Sequence, residues 1–118
     1  MGMTGILRTI FTKLGYSVDG VKVAFRDEPS FRQWALLVLV SDCAVLLLGY
    51  PPAAAGAVFA LGFLLLASEL INTAVEILVD HVHPERGDVA KRAKDTASAM
   101  TLLTFLALAS FWCGLLLF

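Results

Sequence analysis

A chain of 118 residues that is 58% hydrophobic, with a mean hydropathy of +0.81, is too apolar for a water-soluble domain of this length. Its net charge of −1 gives no sign of a polyanionic partner such as nucleic acid. The composition instead favours a membrane protein, for which the lipid bilayer is the solvent.

The N-terminal segment, residues 1–28, is predicted to be an amphipathic stretch on the cytoplasmic membrane surface. Its apolar positions recur at helical spacing and include Ile6, Ile10 and Leu14. We expect this helix to end at Gly15 and the chain to bend again at Gly20. The segment has neither the long apolar run nor the small-residue cleavage site of a secretory signal, so the spans themselves are expected to direct insertion.

Three apolar stretches are each long enough to cross a bilayer, which takes about 20 helical residues for about 30 Å of hydrocarbon. They run over residues 34–50, 52–79 and 96–118, and the first helix is expected to begin at Pro29, because proline suits a first turn. The sequence therefore predicts an all-α membrane protein in which residues 29–118 form one three-span domain. Three short helices form a thin core, which makes an oligomer the expected state.

The distribution of basic residues predicts the orientation of the spans. All 9 Lys and Arg residues lie before the first span or between the second and the third, and the hairpin at residues 49–52 has none. By the positive-inside rule, the N-terminus and the loop at residues 80–95 are cytoplasmic, and the C-terminus lies on the far side.

Polar residues form one stripe on the second span. They follow spacings of three, four and four, and they are Glu69, Asn72, Glu76 and Asp80. The helix that carries them is roughly 42 Å long at 1.5 Å per residue, which places Glu69 near the inner boundary of the hydrocarbon. An ionisable side chain costs about 2.5 kcal/mol or more at the centre of a membrane helix, so it indicates function by default. The alternative is that these acids pair with basic residues and only stabilise packing.

Charged residues also lead into the third span, where Lys91, Arg92, Lys94 and Asp95 are followed by Ser98. Carboxylates can hold Mg²⁺ and a lysine can contact phosphate, and phosphoryl transfer requires both. The sequence has neither a GxxxxGK[ST] loop nor the GxGxxG loop of soluble protein kinases. A kinase with this sequence would therefore need a site of another design.

Five other residues could take part in chemistry but are predicted to have structural or surface roles instead. Cys43 and Cys113 fall inside spans and are expected to pack as small apolar side chains. His81 and His83 lack a further nitrogen or sulfur ligand nearby, so we expect them at the interfacial surface rather than on a metal. Asp42 is expected to make a polar contact within the oligomer, with a water-facing position as the alternative.

Two stretches closely resemble the signature of the prokaryotic diacylglycerol kinase family, which comprises small trimeric membrane enzymes. These stretches are residues 69–80 (ELINTAVEILVD) and 93–99 (AKDTASA). Further matching positions are Gly15-Tyr16-Ser17, Glu28, Phe31-Arg32-Gln33 and Trp112-Cys113, so the resemblance covers almost the whole chain. Trp34, Arg86 and Gly87 depart from the family pattern.

The resemblance implies phosphorylation of diacylglycerol to phosphatidic acid by ATP and Mg²⁺, at the cytoplasmic face of the bacterial inner membrane. It implies that Glu69 is the catalytic base, with Asn72 beside the reacting groups, and that Glu28 and Glu76 hold the metal. The nucleotide contacts that it implies are Arg8, Tyr16, Glu28, Glu76, Glu85, Lys94 and Asp95. The lipid contacts that it implies are Phe31, Arg32, Gln33, Trp34, Glu69, Ser98 and Trp112. It also implies a homotrimer with active sites shared between subunits.

Three other functions compete with this interpretation. An undecaprenol kinase is the nearest, because its relatives share the pattern from residue 69 to residue 95. A small transporter with an intramembrane carboxylate belongs to a different class, but such proteins usually have four spans and an acid at the midplane. A non-catalytic membrane scaffold gives no reason for four polar residues on one helical stripe.

Overall fold

The computed structural model describes residues 2–118 as four α-helices. They are α1 (Met3–Asp27), α2 (Pro29–Leu47), α3 (Pro52–Val82) and α4 (Asp88–Leu117). No strand occurs among the described residues. Helices α2, α3 and α4 are each long and apolar enough to cross a membrane, which confirms the prediction of an all-α membrane protein with three spans.

Helix α1 is longer than predicted, because it neither ends at Gly15 nor bends at Gly20. Its apolar face continues past both glycines through Val18, Val21 and Phe25 at helical spacing. A glycine inside a helix costs only about 1 kcal/mol relative to alanine, which does not stop a helix that has one continuous apolar face. This face stays exposed within the chain, as expected for a helix that lies on lipid.

The corner between α1 and α2 contains a single non-helical residue, Glu28. Helix α2 begins at Pro29, as predicted. One turn further on, Arg32 reaches back to the end of α1, where its Nη1 donates to the carbonyl oxygens of Phe25 at 2.6 Å and Arg26 at 3.1 Å. Carbonyls in the last turn of a helix lack partners within that helix, so Arg32 satisfies them and fixes α1 against α2.

Helix α3 is central to the bundle and packs against both α2 and α4. The core consists of apolar side chains from the three helices, namely Val38, Val45, Ala55, Val58, Leu65 and Leu108. Helix α2 approaches α3 closely at Gly62, where a Cβ atom would lie 2.7 Å from Val38 Cγ1. Glycine is therefore required there for space, since carbon atoms in contact normally lie about 3.5 to 4.0 Å apart.

Aromatic side chains connect the helices at the end of the bundle that contains the α2–α3 turn. We call this end the hairpin end. The Tyr50 hydroxyl donates to the carbonyl oxygen of Leu115 at 3.1 Å, and Trp112 Nε1 donates to Ser41 Oγ at 2.8 Å. The Tyr50 and Trp112 rings meet edge to face with centroids 6.1 Å apart. Gly49 has a φ of +75° in this turn, a conformation that suits glycine.

We call the opposite end of the bundle, where α3 joins α4, the polar end. Helix α4 begins at Asp88, well before the apolar stretch that starts at residue 96. The predicted loop over residues 80–95 is therefore wrong, because most of that segment is helical. Hydropathy indicates where the chain enters the lipid. The helix itself can continue beyond that boundary as polar turns. A Lys91–Asp95 ion pair at a spacing of four supports this extension.

Candidate active site

Glu69 lies on α3 with only 3% of its surface exposed, and its carboxylate is held by hydroxyl groups from the two neighbouring helices. Ser30 Oγ, in the first turn of α2, donates to Glu69 Oε1 at 2.7 Å. Thr101 Oγ1, on α4, donates to Glu69 Oε2 at 3.2 Å. All three spans therefore converge on one buried acid, whose burial requires such hydrogen bonds.

A cavity of about 310 Å³ opens beside Glu69. Its lining residues come from all three spans and are Ser30, Trp34, Glu69, Asn72, Glu76, Ser98, Thr101 and Leu102. Glu69, Asn72 and Glu76 occupy successive turns of α3, as their spacing predicted. Asn72 Oδ1 is buried and accepts no hydrogen bond from residues 2–118. The cavity thus offers two carboxylates and one free amide oxygen from a single helix face.

A second and larger cleft, of about 670 Å³, lies at the polar end between the end of α3 and the start of α4. It is lined by charged residues of both signs, among them Asp80, Glu85, Arg86, Lys91, Lys94 and Asp95. Lys94 Nζ donates to Asp80 Oδ1 at 2.8 Å, and the Lys91–Asp95 pair lies alongside. Basic side chains at this position can meet the phosphates of a nucleotide.

The two histidines lie at the exposed surface of the polar end, as expected from the sequence. His83 Nδ1 is 2.7 Å from Glu85 Oε2. Across the part of the chain that the structure describes, no three His, Cys, Asp or Glu side chains are grouped so as to hold a metal by themselves. Cys43 and Cys113 are free cysteines on exposed helix faces rather than buried within the bundle.

The predicted nucleotide contacts on α1 lie apart from both cavities. Arg8 and Tyr16 are exposed, and α1 packs mainly against α2 rather than against α3 or α4. Glu85, Lys94 and Asp95 do line the cleft at the polar end, and Glu76 lines the cavity beside Glu69. A single chain therefore brings together only some of the residues that were predicted to bind nucleotide.

Glu28 stands at the α1–α2 corner, two residues before Ser30, and does not line the cavity. Its neighbour Asp27 accepts hydrogen bonds from the Arg26 guanidinium, at 2.7 Å from Nε and 2.9 Å from Nη2. These hydrogen bonds hold the pKa of Asp27 below its usual value. Glu28 forms no ion pair within residues 2–118, so of these two adjacent acids it is the one available to a metal.

The predicted lipid contacts fall at three different places. Trp34 and Ser98 line the cavity, and the Trp34 ring packs on Phe105 with centroids 5.4 Å apart. Gln33 is exposed and Phe31 is buried, while Arg32 is turned toward the end of α1. Trp112 lies at the hairpin end, away from Glu69.

Sequence reasoning missed the two residues that hold Glu69, namely Ser30 and Thr101. A signal for Thr101 was present, because it follows Ser98 by three residues and Lys94 by seven and so shares their face of α4. Ser30 gave no such signal, since a serine in a first helical turn is ordinary on composition alone.

This fold and site define the class of protein. It is a helical membrane protein in which three spans converge on a buried carboxylate, with a charged cleft at one end. A family model described as prokaryotic diacylglycerol kinase matches residues 15–116. The diacylglycerol kinase of Pseudomonas aeruginosa is 37% identical over 116 residues, which cover 98% of this chain and 94% of that protein. The enzyme of Haemophilus influenzae is 33% identical over 87% of each chain. That of Escherichia coli K12 is 31% identical over 96% of this chain and 92% of its own.

The chain belongs to the prokaryotic diacylglycerol kinase family. This confirms the resemblance found in the sequence and the prediction that the protein is a kinase. Membership of a kinase family argues against a transporter and against a non-catalytic scaffold.

Proposed function

We propose that this protein transfers the γ-phosphate of ATP to the free hydroxyl of diacylglycerol and so forms phosphatidic acid. The observation that carries the proposal is the buried Glu69 carboxylate beside a cavity formed by all three spans. Its relatives are named diacylglycerol kinases, which favours this lipid over undecaprenol. The proposed location of the reaction is the cytoplasmic face of the bacterial inner membrane, which is supported by the position of all the basic residues at one end of the spans.

In this mechanism Glu69 accepts the proton of the lipid hydroxyl while the hydroxyl oxygen bonds to the γ-phosphorus. The bond from that phosphorus to the β–γ bridging oxygen breaks, and ADP leaves with the bonding electrons. Each Glu69 oxygen accepts one hydrogen bond within the protein, and a carboxylate has about four lone-pair sites. The carboxylate therefore still has room to accept the substrate proton.

The cavity residues fit Mg²⁺, because Glu76 and the unpartnered Asn72 Oδ1 are hard oxygen donors. Protein sites usually hold Mg²⁺ through one or two carboxylates together with substrate phosphates, so a cluster of three acids is not needed. Glu28 and Glu76 are the carboxylates proposed to hold the ion, which when bound would neutralise charge on the phosphates. Lys94 is proposed to contact the phosphates from the cleft at the polar end.

A homotrimer with shared sites is proposed because one chain does not gather all the expected parts. Arg8, Tyr16 and Glu28 lie outside the cavity that contains Glu69 and Glu76. A neighbouring subunit would supply them if α1 and the corner of one chain face the cavity of the next. Asp42 supports an oligomer too, because its buried Oδ1 accepts no hydrogen bond from residues 2–118.

The direct test is to measure ATP-dependent phosphorylation of diacylglycerol and of undecaprenol by the purified protein in lipid-detergent micelles with Mg²⁺. We expect diacylglycerol to be turned over faster, and Glu69→Gln to lower kcat by about 10²- to 10⁴-fold without disrupting assembly. Asp19→Asn, the same change of acid to amide on the exposed part of α1, is the control and should retain full activity. Faster turnover of undecaprenol, or a folded Glu69→Gln protein with normal kcat, would contradict the proposal.

A further inference from the structure

Two hydroxyl groups from different helices bind the same carboxylate, one at each oxygen. We infer that Ser30 and Thr101 are positioning residues that hold Glu69 in the orientation in which it accepts the proton of the lipid hydroxyl. This inference rests on the proposed function, since it gives Ser30 and Thr101 their role through the base of that reaction. Neither residue was a candidate on the basis of sequence.

The hydrogen bonds made by other hydroxyl groups differ from this arrangement. Ser68 and Thr104 also meet across helices, but each bonds to a carbonyl of its own helix as well and neither bonds to a carboxylate. Serine and threonine within helices commonly donate to the carbonyl four residues earlier. Thr9, Thr12, Ser17 and Thr96 all do so in this chain. Ser30 and Thr101 instead donate across helices, to a side chain 39 and 32 residues away in sequence.

The two hydrogen bonds also restrict the motion of the acid. A glutamate side chain has several rotatable bonds, so burial alone leaves more than one orientation for its oxygens. Ser30 is fixed by the first turn of α2, and Thr101 is 5% exposed within α4. Donors that approach from two helices define both oxygen positions, and a displacement of about 1 Å can cost about 100-fold in rate.

The chemistry of these donors also suits a base. A hydroxyl group donates one proton into its hydrogen bond and stays neutral, whereas a lysine or arginine would form an ion pair with the carboxylate. The carboxylate is thus oriented without being neutralised by a cation.

A purely structural role predicts different kinetics from a positioning role. If Ser30 and Thr101 position Glu69, Ser30→Ala and Thr101→Val should each lower kcat about tenfold, the effect of losing one hydrogen bond to a charged group. The KM values for diacylglycerol and MgATP should stay within about twofold, because substrate binding is not affected. Thr101→Ser retains the hydroxyl and should recover most of the rate.

The matched control is Thr104→Val, which makes the same change one turn further along α4. Thr104 Oγ1 lies 2.8 Å from Ser68 Oγ and bonds to the carbonyl oxygens of Met100 and Thr101, and it forms no hydrogen bond with Glu69. This variant should leave kcat within about twofold of wild type. In a Glu69→Gln background, Thr101→Val should add no further loss to the residual rate, because no base is then left for Thr101 to position. A further tenfold loss in that background would overturn the inference.

An infrared measurement tests the hydrogen bonds without depending on activity. The carboxyl stretching band of Glu69 is assigned from the difference between wild type and Glu69→Gln. Ser30→Ala and Thr101→Val should each shift this band, and Thr104→Val should leave it in place. If diacylglycerol is not phosphorylated but the band shifts, the proposed function fails while Ser30 and Thr101 still orient Glu69. If the band does not move, or Thr104→Val lowers kcat as much as Thr101→Val, the inference is wrong.

Discussion

The close approach of α2 and α3 at Gly62 makes a quantitative prediction about stability. In Gly62→Ala the new Cβ atom would lie 2.7 Å from Val38 Cγ1, about 1 Å closer than a normal contact between carbon atoms. Val38 is β-branched and has one strongly preferred rotamer in a helix, so it cannot rotate away at low cost. The two helices must therefore move apart, and overpacking of this kind typically costs about 1 to 3 kcal/mol.

A control on the same helix separates the steric cost of the added methyl group from the gain in helix propensity when glycine is replaced by alanine. Gly56 has no atom within 4 Å of the position that a Cβ would take, so Gly56→Ala should be neutral or stabilising by up to about 1 kcal/mol. Val38→Ala removes the atom that clashes, and a Gly62→Ala/Val38→Ala double mutant should be more stable than the sum of the single changes predicts. We expect this coupling to be about 1 to 2 kcal/mol.

Unfolding by sodium dodecyl sulfate in mixed micelles, followed by the near-ultraviolet circular dichroism of the two tryptophans, measures these free energies. The expected order of stability places Gly62→Ala below wild type and Gly56→Ala at or above it. Equal stabilities for the two alanine variants would show that α2 and α3 do not approach closely at Gly62. If the free-energy changes of the two single mutants simply add in the double mutant, Val38 is not the side chain that limits the approach of α2 to α3.

Two further predictions concern metal and assembly. Glu28→Ala and Glu76→Ala should each raise the Mg²⁺ concentration needed for half-maximal activity, because each removes a proposed oxygen ligand. An unchanged Mg²⁺ titration would assign these acids to structure. Mixing inactive Glu28→Ala and Glu69→Gln proteins should restore activity as subunits exchange, because a shared site can then combine two intact parts. Mixed trimers, verified by co-purification through a tag on one variant, that stay inactive would instead favour sites built within each chain.

Much of the fold follows from patterns that act along a single helix. Apolar length predicted the three spans, and proline chemistry predicted that α2 begins at Pro29. The predicted end of α1 at Gly15 is wrong because the continuous apolar face that extends to Phe25 outweighs the low helix propensity of Gly15 and Gly20. The early start of α4 was missed because hydropathy locates the lipid border rather than the end of the hydrogen-bonded helix.

From residue spacing alone, the candidate site was predictable only where its residues share one helix; Trp34 and Ser98 came from the family resemblance. Glu69, Asn72 and Glu76 line one cavity because their spacing repeats with the helical turn. The contacts of Ser30 and Thr101 with Glu69 depend on how α2 and α4 rotate against α3. That rotation results from the packing of the whole bundle, and no local sequence pattern encodes it.

The corner at Glu28 links helix α1 to the depth of the candidate site. Arg32 holds the end of helix α1 against α2. If α1 lies on the membrane surface, as its apolar face predicts, the vertical position of Ser30 is set from that surface. Because Ser30 donates a hydrogen bond to Glu69, the Glu69 carboxylate shares that vertical position. In a thicker or thinner bilayer, the mismatch would then be taken up at the hairpin end around Tyr50. Lipid headgroups would meet Glu69 at the same level whatever the thickness of the hydrocarbon.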